Sequence, residues 1–169
     1  MLFRSSPGGD SSLFLNNCIG CHSGMDPMAQ AFAYYDYVYT TDPTTGALQY
    51  TPGKVVGKYF HNNTTFPTGF ITPDDSWSNR WRTGPNSVLG FSSALPGSGN
   101  GAKSLGQELG NSAAFAQCQV QKVFNAVCLR APSNTADFNQ VSTMVNTFQT
   151  QGYKLKRVFA DAAAYCSGT

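Results

Sequence analysis

The 169-residue chain holds a single glutamate, Glu108, and only two histidines, His22 and His61. So few proton-transferring groups, with no Ser, His, Asp arrangement and no second histidine pair, speak against acid–base or nucleophilic catalysis. Charge of either sign is thin, at 12% of residues, and the basic side chains never form a run. With a formal net charge of +2, neither nucleic acid nor an anionic membrane is indicated as a partner. No segment approaches the roughly 18 apolar residues of a membrane-spanning helix. The opening MLFRSSPGGDSS lacks the apolar stretch of a secretory signal, so the sequence reads as mature, trimmed or cut from a longer parent.

What is plentiful is Ser, Thr, Asn, Gln and Gly, which make for a polar, weakly charged surface of the kind common outside cells. Residues 1–10 read as a flexible lead, after which Asp10, Ser11 and Ser12 offer helix caps ahead of a short helix running into Cys18. Met28, Phe32 and Tyr35 or Tyr39 recur at three to four residues, which predicts a second helix over 25–39 with Pro27 in its first turn. From 40 to 101 the pattern dissolves into Gly, Pro, Asn, Ser and Thr. A short alternating piece around Lys54 to His61 is expected to form a hairpin with Ala47 to Thr51. The last third predicts three helices, Ser112 to Arg130, Thr135 to Gln149 and Lys154 to Tyr165, with Phe115, Cys118, Val120, Val123, Phe124, Val127 and Cys128 on the apolar face of the first. Phe138, Val141, Met144, Val145 and Phe148 repeat at helical spacing in the second.

Five cysteines are many for a reduced intracellular chain of this size, and two of them have a special spacing. Cys18-Ile19-Gly20-Cys21-His22 is the C-x-x-C-H signature of covalent haem attachment. Two thiols three residues apart on one helical turn reach the two vinyl groups on one porphyrin edge, and the next residue, His22, falls under the iron as its proximal ligand. Gly20 leaves room for the macrocycle. A thioredoxin-like pair would need a βαβ context, and a structural zinc site two more ligands at suitable spacing; neither is present. The motif therefore predicts one haem c, bound by Cys18 and Cys21.

The residues that follow, Met25-Asp26-Pro27, Ala29, Ala31-Phe32 and Tyr35-Asp36, resemble the C-x-x-C-H-x-x-M-D-P-x-G-x-A-L-E-x-F-D run of the planctomycete-type cytochrome C-terminal domains. Phe115, Cys118, Val123-Phe124, Arg130, Gly152-Tyr153 and Leu155 are similar to that family's helical second half. Ala29 and Ala33 stand where the family has Gly and Glu, and the insertion over 40–101 has no counterpart. The resemblance implies an exported haem domain.

The sixth iron ligand separates an electron carrier from a haem enzyme. His61 is the preferred distal ligand and Met144 its alternative, although a methionine on an apolar helix face is by default core. Phe32 and Tyr35 are candidates for packing against the haem, and Tyr34, Tyr37, Trp77 and Trp81 for its walls or for a subunit contact. Cys118 and Cys128 lie roughly 15 Å apart along one helix, beyond disulfide reach. If the three helices run up, down and up, Cys128 is the favoured partner of Cys166.

The expected fold is thus mainly α: a single c-type haem domain over 1–169, with a short attachment helix, a loop-rich insertion over 40–101 carrying a short β-hairpin, and a helical part over 112–166. The expected function is electron transfer in the periplasm or outside the cell, without catalysis, to redox protein partners. Two alternatives are a subunit of a polymeric cytochrome whose identical copies stack haems, and the haem domain of a larger oxidoreductase.

Overall fold

A computed structural model of the chain describes residues 11–42, 44–56 and 68–168. His61 and the end of the alternating piece before it lie outside these. The protein is mainly helical with two small antiparallel sheets, and it divides into two compact units: Met1–Gly84 with Leu95–Gln107, and Pro85–Ala94 with Glu108–Thr169. No helix among the described residues is long and apolar enough to cross a membrane.

The first unit opens with one unbroken helical run: α1 (Ser11–Leu13), a wide π-turn over Phe14–Cys18, α2 (Ile19–Ala29) and a 3-10 turn over Gln30–Phe32. The expected division into two helices is corrected, for Pro27 lies inside α2 rather than at its start. A proline within a helix cannot bond the carbonyl four residues back, here that of Ser23. Arg80 supplies the missing donor, its Nη1 lying 3.3 Å from the Ser23 oxygen.

The helix also stops earlier than expected. Tyr35–Tyr39 forms β1, paired antiparallel with β2 (Gly46–Tyr50) so that Tyr35 faces Tyr50 and Tyr37 faces Leu48. The tyrosines at 35, 37 and 39 alternate with period 2, and aromatic and β-branched residues favour a pleated strand. The turn between the strands is tied by Asp42, whose Oδ1 accepts from the amide and hydroxyl of Thr44 at 2.8 and 2.7 Å. Those bonds hold its carboxyl below the usual carboxylate range. The hairpin partner of Gly46–Tyr50 is therefore the strand before it, not the piece after it.

A small core joins α2 to the rest of this unit through Met28, Ala31, Trp77 and Leu105, with Trp81 packed against them. Trp77 sits on β3 (Ser76–Ser78), which pairs with β4 (Ser98–Asn100) and sets Trp77 opposite Gly99. A Cβ on Gly99 would come within 3.2 Å of the indole and 2.9 Å of Ser104 Oγ, the atom that accepts the Trp77 Nε1 hydrogen at 2.8 Å. Leu105 belongs to α3 (Gly101–Gly110), a helix that its three glycines, Gly101, Gly106 and Gly110, disguise.

The second unit holds the three expected helices, α4 (Ala113–Cys128), α5 (Thr135–Thr150) and α6 (Leu155–Ser167), each within about two residues of its expected bounds. Ser112 caps α4 by accepting from the Phe115 amide at 3.2 Å, and Asn134 caps α5 by accepting from Asp137 at 3.0 Å. Their shared core is Ala116, Val120, Val123, Phe124, Val141, Met144, Phe148, Val158 and Ala162. Phe115, Cys118 and Phe138, placed on the apolar faces by periodicity, are instead exposed.

Asp137 is fully buried, and every feature around it answers its charge. Arg130 grips it with both terminal nitrogens, Nη1 on Oδ2 and Nη2 on Oδ1 at 2.8 Å. The Ser133 amide donates to Oδ2 at 2.9 Å and the Tyr165 hydroxyl to Oδ1 at 2.8 Å. The Arg130 hydrogen bonds foremost hold this carboxyl well below the usual carboxylate range, against the opposing effect of burial. Cys128 and Cys166 meet as a disulfide with Cα atoms 5.5 Å apart, tying the end of α4 to the end of α6.

Two outcomes follow for this unit. A carboxyl whose folded pKa is depressed contributes stability above its unfolded value of about 4, lost as pH falls through the folded value. Thermal unfolding followed by circular dichroism should therefore show the midpoint dropping below about pH 4, and Asp137→Asn should lower it at neutral pH while flattening the acid dependence. Replacing Cys166 by Ser frees a 38-residue span, which in the chain-entropy account costs up to about 4 kcal/mol. Urea titration of the two proteins measures that loss.

Candidate functional site

The cysteine–histidine motif occupies the junction between the π-turn and α2. Cys18 ends the wide turn and Cys21 and His22 lie in the first turn of the α-helix. Spacings of three and four residues put all three side chains on one helical face. Cys18 is half-buried, Cys21 exposed, and both thiols are free. Gly20 between them has open space where a Cβ would stand.

His22 is held from two directions. Asp26, one turn further along α2, places Oδ1 2.9 Å from Nδ1, an acceptor that a neutral ring meets with hydrogen on Nδ1 and its lone pair on Nε2. On the other side lies the buried ring of Phe14, its centroid 5.5 Å from that of the imidazole. The π-turn explains this contact. In an unbroken α-helix eight residues at about 100° each would leave Phe14 roughly 80° away from His22. One extra residue in the wide turn brings the two to within roughly 20° of one another.

Phe14, Ile19, His22, Ser23 and Asp26 line one side of a cleft of about 200 Å3; Thr68, Gly69, Phe70 and Arg80, all from the loop-rich stretch, line the other. Thr68 Oγ1 is buried and has no hydrogen-bond partner among the described residues. The cleft is smaller than the ~300–1,000 Å3 of enclosed small-molecule sites. A large planar group would accordingly lie against the exposed helix face, where Leu15 and Ile19 turn apolar surface to solvent.

These residues fit the haem that the motif predicts. Its attachment needs two accessible thiols on one face, an imidazole with a fixed free nitrogen, and apolar surface to cover, and each is present. Among the described residues no group of three or more His, Cys, Asp or Glu side chains converges as a metal site. Haem attachment does not require one, because the thiols bond to carbon and the porphyrin supplies the equatorial ligands.

No family model, curated protein or solved structure matches the chain.

The other candidate residues are distributed elsewhere. Phe32 and Tyr35 are not among the residues lining the His22 cleft; they stack toward the hairpin, with Tyr35 and Tyr50 centroids 4.8 Å apart. Trp77 is buried in the core of the first unit, with Trp81 packed at its edge. Met144 is buried in the three-helix core of the second, the packing role its position on the apolar face implies by default. His61 lies outside the described residues. Phe14, Asp26, Thr68, Phe70 and Arg80 escaped the reading of the sequence as site residues. For Asp26 a signal was present, a four-residue spacing from His22, but starting a separate helix at residue 25 hid it.

Gly24, two residues past His22, is covered by the Trp81 indole so closely that an added Cβ would overlap it. Gly24→Ala should displace Trp81, shift tryptophan emission and destabilise the first unit by about 1–3 kcal/mol, as overpacking commonly does. Fluorescence-monitored urea unfolding reads both effects.

Proposed function

We propose that the chain is a monohaem c-type cytochrome that carries electrons outside the cytoplasm. The observation that carries this reading is the single helical face bearing Cys18, Cys21 and His22, with His22 Nδ1 already engaged by Asp26. Metal-bound histidines commonly donate their second ring nitrogen to a carboxylate in this way.

Each residue has a defined task. Cys18 and Cys21 anchor the haem through thioethers, His22 offers Nε2 to the iron, and Phe14 keeps the imidazole from rotating. Phe14, Ile19 and Phe70 give the cleft apolar walls, which limit water near the site and so act on the potential. A bound haem supplies a one-electron ferric/ferrous couple. The stretch over 40–101, which contributes Thr68 to Phe70 and Arg80 to the cleft, also contains His61, the preferred sixth ligand. The Cys128–Cys166 disulfide suits an oxidising compartment, as an exported carrier requires.

Absorption spectra of the haem-loaded protein, oxidised and reduced, test this assignment. A reversible one-electron couple with a low-spin spectrum is expected, and His61→Ala should convert the iron to high spin. Met144→Ala should leave the spectrum unchanged and lower stability by about 2–5 kcal/mol, as for other large-to-small core changes. A protein that shows no reversible couple, or that turns over peroxide or binds carbon monoxide in its native state, is not the carrier proposed.

A further inference from the structure

Asp26 does more than hold a ring in place. Resting on the haem reading above, we infer that Asp26 sets the redox potential by placing a carboxylate against the proximal histidine, biasing the iron toward its oxidised form. Oδ1 lies 2.9 Å from His22 Nδ1, and the Asp26 side chain is 23% exposed. An anionic acceptor makes a hydrogen bond roughly twice as strong as a neutral one. It draws the Nδ1 proton outward, enriches the ring in electrons, and makes Nε2 a stronger donor to ferric than to ferrous iron.

The surroundings leave that charge available to His22. Among the described residues Arg80 is the one cation lining the same cleft, and it directs Nη1 to the Ser23 carbonyl, with no ion pair to Asp26. The Asp26 contact needs the helix to run from His22 to Asp26, and over that turn the Arg80 hydrogen bond satisfies the Ser23 carbonyl that Pro27 leaves without a donor. His22 is itself 40% exposed before anything covers it. A macrocycle laid over the helix would exclude water from the pair and strengthen the effect of the carboxylate, because fewer solvent dipoles screen it.

The competing role is a plain helix staple, since a side-chain pair four residues apart steadies a helix by about 0.2–0.5 kcal/mol whatever lies beside it. Potentiometry on the full haem-loaded chain separates the two. Asp26→Asn should make reduction about tenfold more favourable, a rise of roughly 59 mV for a one-electron couple. Asp26→Glu, which keeps the charge, should stay within about twofold of the parent. Equal potentials in all three proteins would overturn the inference while leaving the cytochrome reading intact. Should Asp26→Asn fail to hold haem, the parent still decides: in the reduced protein the His22 Nδ1 proton must exchange slowly by NMR, and exchange as fast as in free imidazole overturns the inference. A parent chain that attaches no haem overturns the cytochrome reading and this inference together.

Discussion

The site is built on a helix that continues past the point where local chemistry would end it. Pro27 removes one backbone donor from α2, and a proline in a helix interior costs about 3 kcal/mol. The helix survives because Arg80 reaches the orphaned Ser23 carbonyl and because Met28 and Ala31, just beyond the proline, are buried against Trp77 and Leu105. His22 and Asp26, in the turn just before the proline, fall one turn apart on the same face. The π-turn before Cys18 acts at the other end, rotating Phe14 beneath the same imidazole.

The second unit follows a different logic, in which a three-helix core provides most of the stability and a buried charge sets its details. Asp137 could not remain ionised in that interior without partners. Arg130 from the segment after α4, Ser133 from the connection and Tyr165 from α6 bind it from three places, so it fixes how the helix ends approach one another. The disulfide near the same ends adds a covalent tie. The buried core of this unit is drawn from its own three helices.

The helices of the second unit were legible because their apolar residues recur with helical period over some fifteen positions. The Cys128–Cys166 pairing was favoured only on the condition that the three helices run up, down and up, with Cys118 the second choice; the disulfide joins Cys128 to Cys166. In the first unit the signals were short and conflicting. Tyr35 and Tyr39 suit both a helix continuing from Phe32 and a strand alternating with Tyr37, and five residues do not discriminate between them until Gly46–Tyr50 pairs alongside. The C-x-x-C-H spacing of Cys18, Cys21 and His22 is read directly from the sequence, whereas Thr68, Phe70 and Arg80 reach the cleft only through tertiary folding of a stretch without periodicity.

The account stands most directly on whether Cys18 and Cys21 carry a covalent haem. Peptide mapping by mass spectrometry, on protein produced where c-type haem can be attached, would answer it. The expected result is one haem retained after denaturation on the peptide containing Cys18 and Cys21, and absent from the Cys18→Ser, Cys21→Ser double variant. Finding that peptide unmodified, or with its two cysteines joined to each other, would contradict the account.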